Sequence, residues 1–87
     1  MISETIKKLR NKETVKFLNK EDKMIYAYQL NKREKTICWE RYRMKPGARH
    51  SGRWVCLNRY MTLKEVVKDI TKISNNNKKH NQNGTVL

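Results

Sequence analysis

Between residues 14 and 60 the chain holds short runs of strand-forming residues separated by polar links. The first run alternates apolar and polar positions, and the second carries apolar groups on both of its faces. A period of two is typical of β-strands, and residues that favour strands are concentrated in these runs. We therefore predict four strands, over residues 14–18, 24–30, 36–44 and 53–60. Because most of the links are short and polar, consecutive strands are expected to pair antiparallel as a meander.

Two other segments follow the helical period. Residues 3–11 are predicted to form a short helix with Leu9 on its apolar stripe. A second helix is predicted to begin at Thr62, where Thr62 and Glu65 fit a capping box, and its apolar positions repeat at helical spacing as far as Ile73. We expect this helix to pack on one face of the sheet, because its apolar stripe needs a partner.

These elements together predict an α+β fold. It consists of a three- to four-stranded antiparallel β-meander, a short N-terminal helix and a C-terminal amphipathic helix packed on one face. We predict one small domain over residues 1–73. Residues 74–87 hold almost nothing apolar before Val86, so we predict a disordered polar tail that cannot offset its ordering entropy by burial.

Charge narrows the function. The chain has 21 Lys and Arg against 8 Asp and Glu, a net charge of +13, and 37% hydrophobic residues. Self-repulsion on this scale is relieved by a polyanion, and nucleic acid is the commonest one inside cells. No apolar run reaches the roughly 20 residues of a membrane helix, and the N-terminus lacks a signal-peptide pattern. We therefore expect a cytoplasmic protein, which nucleic-acid binding would associate with the nucleoid.

Arginine and aromatic residues occur together in the middle of the chain. Six of the seven arginines fall within residues 33–59, and residues 41–64 hold no acidic side chain. Guanidinium groups bind phosphate in bidentate fashion, and aromatic rings stack on bases. The residues predicted to form one continuous nucleic-acid-binding surface are Arg41, Arg43, Lys45, Arg49, Arg53, Arg59, Tyr42, Trp39 and Trp54. For the two tryptophans a place in the core is the alternative.

Alternation predicts which face each of these side chains takes. On the third strand Arg41 and Arg43 share one face, and Tyr42 lies on the other. On the fourth strand Arg59 is expected on the face of Leu57. Because one helix covers only one face, some aromatic residues should stay exposed beside arginine. The long loop over residues 45–53 is expected to be mobile and to become ordered around phosphates.

Catalysis and metal binding have little support in this sequence. Cys38 and Cys56 are predicted to be buried thiols, and with His50 and His80 they lack the close ligand pairs of zinc sites. No phosphate-binding glycine loop, nucleophile motif or acidic metal cluster occurs. We expect no catalytic residue, no metal, no cofactor and no small-molecule substrate.

The runs KMIYAY, KTICWERYRM and GRWVCLNRYM, followed by TLKEVVKDI, are three strands and a capped helix in succession. This order resembles the three-stranded-sheet-plus-helix DNA-binding modules of plant transcription factors and of integrase arm-binding domains. The resemblance implies a sheet that enters the major groove and a helix that supports it. The N-terminal helix and the additional first strand depart from that pattern. Double-stranded-RNA-binding domains share the helix–sheet–helix order, but their signature loops are not found in this sequence.

The sequence thus predicts a small, basic, non-catalytic nucleic-acid-binding protein with a regulatory or accessory role, and DNA is favoured over RNA. Its Lys- and Asn-rich composition is typical of an AT-rich genome, such as that of a phage or another mobile element. The alternative is a small interaction or inhibitor protein that docks its basic, aromatic face on an acidic host protein.

Overall fold

The computed structural model describes residues 2–46 and 53–85. In chain order the elements are α1 (Ile2–Arg10), β1 (Val15–Asn19), β2 (Met24–Leu30), β3 (Trp39–Met44), β4 (Val55–Met61) and α2 (Leu63–Thr85). The four strands form one antiparallel sheet in the order β1-β2-β3-β4, which is a meander. The predicted α+β fold is confirmed, and β2 has the predicted bounds.

A tight turn joins β1 to β2 and sets their register. The backbone N–H of Lys23 donates to the carbonyl of Asn19 at 2.8 Å, and the Met24 N–H donates to a carboxylate oxygen of Asp22 at 2.9 Å. Lys23 has a φ of 60°, the left-handed conformation that a turn of this kind requires. The turn pairs Asn19 with Met24 and therefore fixes which residues of the two strands face the same side.

The sheet has two distinct faces. The helix face carries Val15, Tyr28, Trp39 and Met61, which form the hydrophobic core together with residues of both helices. The open face carries Lys16, Ala27, Tyr42 and Cys56, which are register partners and form one row across all four strands. Since the core residues that the helices contribute pack with the first face, the second face has no helix over it in the described part of the chain.

Both helices are anchored through fully buried side chains. Leu9 of α1 and Val66 of α2 are each 0% exposed, and Ile70 and Ile73 extend the same apolar stripe of α2. The stripe matches the one that the helical period predicts. Neither α1 nor α2, as far as their residues are described, is both apolar enough and long enough to cross a membrane.

The capping box at the start of α2 is present. The Glu65 N–H donates to the Thr62 hydroxyl oxygen at 3.2 Å, and the Thr62 N–H donates to the Glu65 carboxylate at 2.9 Å. The two hydrogen bonds satisfy backbone donors that the first turn of a helix leaves without partners. The hydrogen bond from the Thr62 N–H also lowers the pKa of Glu65 below its ordinary value.

The end of α2 differs from the sequence-based expectation. The helix continues to Thr85, whereas a disordered tail was predicted from residue 74. A tertiary contact holds the first part of this extension, as far as Asn77, because the side chain of Asn77 reaches the end of β1. Its Nδ2 donates to the Leu18 carbonyl at 2.7 Å, and its Oδ1 accepts from the Lys20 N–H at 2.8 Å. The prediction of a tail rested on the low hydrophobicity of residues 74–87. It missed this contact because the Asn77 amide forms hydrogen bonds and buries no apolar surface.

Replacing Asn77 with alanine is expected to lower the free energy of unfolding by about 1–2 kcal/mol, because two backbone groups lose their partner. The matched control is Asn75→Ala, on the exposed side of the same helix turn. There the change should be neutral or slightly stabilising, since alanine has the higher helix propensity. Urea denaturation followed by circular dichroism measures both variants. Equal effects at the two positions would show that the Asn77 contact does not support the helix.

Candidate nucleic-acid interface

The sheet separates the residues that the sequence analysis grouped on one surface. Trp39, Arg41 and Arg43 lie on the helix face, whereas Tyr42, Trp54 and Arg59 lie on the open face. Lys45 and Arg53 are exposed beside the ends of β3 and β4. Arg49 lies outside the described residues. The strand residues therefore do not form the single continuous surface that was predicted. Alternation is the reason, because neighbours along a strand point to opposite faces.

Trp39 is part of the core. It is 5% exposed and pairs with Met61 of β4. Of the two positions that the sequence allowed for this tryptophan, the core position is the one found. Its ring cannot contact a ligand unless the fold opens. Its indole N–H has no hydrogen-bond partner among the described residues.

Arg41 joins the sheet to α2. Its Nη1 lies 2.5 Å from the Oδ2 atom of Asp69, and the Tyr28 hydroxyl donates to the same oxygen at 3.4 Å. Burial of the Tyr28 ring, followed by the nearby Asp69 carboxylate, raises the pKa of Tyr28 well above its ordinary value. The phenol therefore stays protonated and continues to donate. Arg41 has a structural role in this arrangement, with its charge compensated by Asp69.

Arg43 lies in a cleft of mixed charge between α2 and the sheet. The cleft has a volume of about 460 Å³, and its walls include Glu21, Asp22 and Asp69 as well as Arg43. The Tyr26 hydroxyl donates to Asp22. Burial and then the Asp22 carboxylate raise the pKa of Tyr26, while the Arg43 guanidinium acts in the opposite direction. Arg41 and Lys72 also line the cleft, so its three carboxylates are matched by three cations and it offers a phosphate no excess of positive charge.

Arg59 lies on the open face. It was predicted on the face of Leu57, which lines the cleft on the helix face. The pairing of β3 with β4 shifts register twice between Trp39 and Tyr42, so the simple alternation of β4 is interrupted near Asn58. A bulge of this kind reverses the side on which the following residue points. The guanidinium of Arg59 consequently lies 3.6 Å from the carboxylate of Glu40.

A row of hydrogen-bonded polar side chains crosses the open face from Thr14, just before β1, to β4. The Thr14 hydroxyl donates to Gln29 Oε1 at 3.1 Å, and Gln29 Nε2 donates to Glu40 Oε1 at 3.0 Å. Arg59 completes the row at the other oxygen of Glu40. Glu40 is 6% exposed and is the carboxylate that the described strand residues place on this face. Because Glu40 is buried within this row of hydrogen bonds, the described strands carry no exposed negative charge on the open face.

Aromatic and cationic groups lie beside this row of polar side chains. Trp54 and Tyr42 are half-buried, and the Lys16 ammonium lies 5.5 Å from the centroid of the Trp54 ring, a cation–π distance. Partial burial, followed by the Glu40 carboxylate, raises the pKa of Tyr42 above its ordinary value. The exposed surface here combines flat rings with positive charge.

Two adjoining cavities mark this surface. One, of about 440 Å³, is lined by Thr14, Lys16, Ala27, Gln29, Tyr42 and Trp54. The other, of about 240 Å³, shares Thr14, Gln29 and Tyr42 with the first and adds the cationic residues Lys12, Lys32 and Arg33. The open face thus continues from an aromatic part into a cationic part without a break.

A buried asparagine positions the cationic part. Asn31 is 5% exposed; its Nδ2 donates to the Arg59 carbonyl at 2.8 Å, and its Oδ1 accepts from the Arg33 N–H at 3.0 Å. Its own N–H donates to the Cys38 carbonyl at 2.9 Å. These three hydrogen bonds close the connection between β2 and β3 and hold Arg33 beside the sheet.

Sequence reasoning did not include four of these cations in the binding surface, namely Lys12, Lys16, Lys32 and Arg33. For Lys16 the sequence did contain a signal. Val15 and Phe17 share one face of the first strand, so Lys16 between them must point to the other face. Arg33 begins the arginine cluster of residues 33–59, but its place beside the open face depends on the contacts of Asn31, which the sequence does not reveal.

The described residues contain no group of three or more His, Cys, Asp or Glu side chains that could hold a metal. Cys38 is buried and Cys56 half-buried, and both are free thiols. The Cys38 Sγ donates weakly to the Arg59 carbonyl at 3.6 Å, beside the hydrogen bond from Asn31. His50 and most of the predicted 45–53 loop lie outside the described residues.

Comparisons of this chain with protein-family models, with curated proteins and with solved structures find no match.

Proposed function

We propose that this protein binds nucleic acid without catalysis, through the open face of its sheet and the cations beside it. The observation that carries the proposal is the composition of that face. Tyr42 and Trp54 lie beside Lys16, and the carboxylate of Glu40 is buried and already paired with Arg59. Polyanion-binding surfaces combine positive charge with aromatic rings in this way.

The net charge of the chain supports the same function. Of the eight acidic residues, Glu40, Asp69 and Glu65 are engaged by Arg59, Arg41 and Thr62 respectively. These contacts leave a large excess of cations without a carboxylate partner in a chain of net charge +13. Binding a polyanion releases its counterions and lowers the self-repulsion of the protein.

A non-catalytic role fits the chemistry of the face, since its described titratable groups are lysine, arginine, tyrosine, the half-buried Cys56 thiol and one paired glutamate. A bound DNA or RNA would be held and positioned there, which suits a regulatory or accessory protein. DNA remains the favoured ligand in this proposal because the resemblance in element order is to sheet-plus-helix DNA-binding modules; their entry into the major groove of a duplex is not part of the proposal.

Removing three cations from the open face should reduce the salt dependence of binding. The variant Lys16→Gln, Lys32→Gln, Arg33→Gln keeps polar side chains at each position. It is expected to reduce the slope of log K against log salt by up to about 2 units, since each phosphate contact on a single strand contributes about 0.7. A titration of fluorescent DNA and RNA oligonucleotides at several salt concentrations measures this slope.

The matched control is Lys64→Gln, Lys68→Gln, Lys72→Gln on the exposed side of α2, which removes the same total charge. Its slope should stay close to that of the original protein. If both triple variants reduce the slope equally, binding follows net charge alone and the open face is not a defined site.

An acidic protein partner is the second candidate, and exposed apolar residues on the edge strand favour it. Val55 is 50% exposed and Tyr60 is 64% exposed, both on β4, whose outer edge is unpaired in the described sheet. Such an edge can add a strand from another protein. A pull-down from nuclease-treated lysate separates the two candidates. Retention of one stoichiometric acidic protein would favour this candidate, and loss of all binding would favour nucleic acid.

A further inference from the structure

The larger cavity on the open face has the form of a stacking site. Its floor is Ala27, whose methyl group leaves space between the longer side chains of its row neighbours Lys16 and Tyr42. The rings of Tyr42 and Trp54 line it. At about 440 Å³ it lies in the usual range of ligand pockets, about 300–1,000 Å³. The space suits a flat group of the size of a nucleobase.

Hydrogen-bonding groups line the same cavity in fixed positions. Gln29 is held by Thr14 on one side and by Glu40 on the other, and it uses one amide hydrogen and one lone pair in doing so. One further hydrogen and one further lone pair of its amide remain. A base that enters the cavity can therefore pair its polar edge with Gln29 while its ring faces an aromatic side chain.

Positive charge lies where the backbone of a bound strand would run. The Lys16 ammonium lies over the Trp54 ring, 5.5 Å from its centroid, and the adjoining cavity carries Lys12, Lys32 and Arg33. Proteins that bind single strands combine a cationic groove along the backbone with aromatic side chains on which bases stack. In a duplex the bases are already paired and stacked, and extruding one costs a few kcal/mol.

We propose that the cavity between Trp54 and Tyr42 takes an unpaired nucleobase, so that the open face selects single-stranded nucleic acid over duplex. This inference rests on the proposed function and specifies its ligand. The cleft on the helix face is not an equivalent site, because its three cations are balanced by the carboxylates of Glu21, Asp22 and Asp69. The described residues of the open-face cavity include no carboxylate.

The test compares a fluorescein-labelled 15-nucleotide oligothymidylate with a 15-base-pair mixed-sequence duplex, both followed by fluorescence anisotropy. The original protein should bind the single strand more tightly. Trp54→Leu, which keeps apolar volume but removes the stacking surface, should weaken single-strand binding about 5- to 150-fold, because one base–aromatic stack contributes about 1–3 kcal/mol. Duplex binding should stay unchanged. Leu63→Ala, a half-buried apolar residue of α2 distant in sequence from the cavity, serves as the control for a loss of stability.

A second readout does not depend on any variant. The chain has two tryptophans, and Trp39 is buried. Quenching of the tryptophan emission by oligothymidylate, without quenching by duplex, is expected from stacking on Trp54. Salt-dependent binding of both oligonucleotides with equal affinity and no quenching would overturn the base-binding inference and leave the proposed function standing. Absence of salt-dependent binding to either one would overturn the proposed function itself.

Discussion

Replacing Leu9 with alanine is expected to lower the free energy of unfolding by about 2–5 kcal/mol, because the side chain is fully buried and its removal leaves a cavity. Leu9 is the residue through which α1 joins the core. At about 0.05–0.15 kcal/mol per residue, a domain of this size has about 4–13 kcal/mol of total stability. The variant should therefore lose a large share of it, which chemical denaturation measures directly.

Leu18→Ala is the matched control, since the same atoms are removed from a position that is 47% exposed on the open face. It should cost much less, because little apolar surface returns to water and the surroundings can fill the space. Comparable losses for the two variants would mean that α1 does not depend on Leu9 for its anchorage.

Replacing Asp69 with alanine should be the second large perturbation, with an expected loss of about 2–3 kcal/mol. The change removes the hydrogen-bond acceptor of Arg41 and Tyr28 and leaves a partly buried guanidinium without a partner. The expected loss of unfolding free energy is smaller than that for a fully buried ion pair, because the side chains of Arg41 and Asp69 are 32% and 27% exposed. Thermal unfolding at low and high salt measures it.

A double-mutant cycle with Arg41→Gln and Asp69→Asn separates the pair from its surroundings. We expect a favourable coupling energy and unchanged oligonucleotide affinity in both single variants, because Arg41 lies on the helix face. A variant Arg41→Gln that kept its stability but bound nucleic acid many-fold more weakly would show that Arg41 contacts phosphate, as the sequence analysis predicted.

The secondary structure could be predicted because its signals are local. The apolar run of β2, the helical stripe that includes Val66 and Ile70, and the capping box at Thr62 each depend on neighbours within a few positions. Short polar links then leave the meander as the simplest connection. The strands of the sheet and the packing of α2 on one of its faces followed from these patterns.

The candidate site was harder to predict because it depends on contacts between distant residues. Clustering of arginine in the sequence suggested one surface, but Arg41 pairs with Asp69, 28 positions away, on the helix face. Arg59 lies on the open face because of a register shift between β3 and β4 that alternation cannot reveal. Lys32 and Arg33 belong to the open face through the hydrogen bonds of Asn31.

The amino-acid pattern alone thus determined the α+β class, the order of the strands, the apolar stripes and the excess of positive charge, because each is a property of composition or of short-range spacing. The tertiary structure decided which cations are neutralised, which aromatic rings remain accessible and how far α2 extends. The Asn77 contact spans 59 positions from Leu18. Such contacts form only when the chain folds, because folding brings together side chains that are far apart in the sequence.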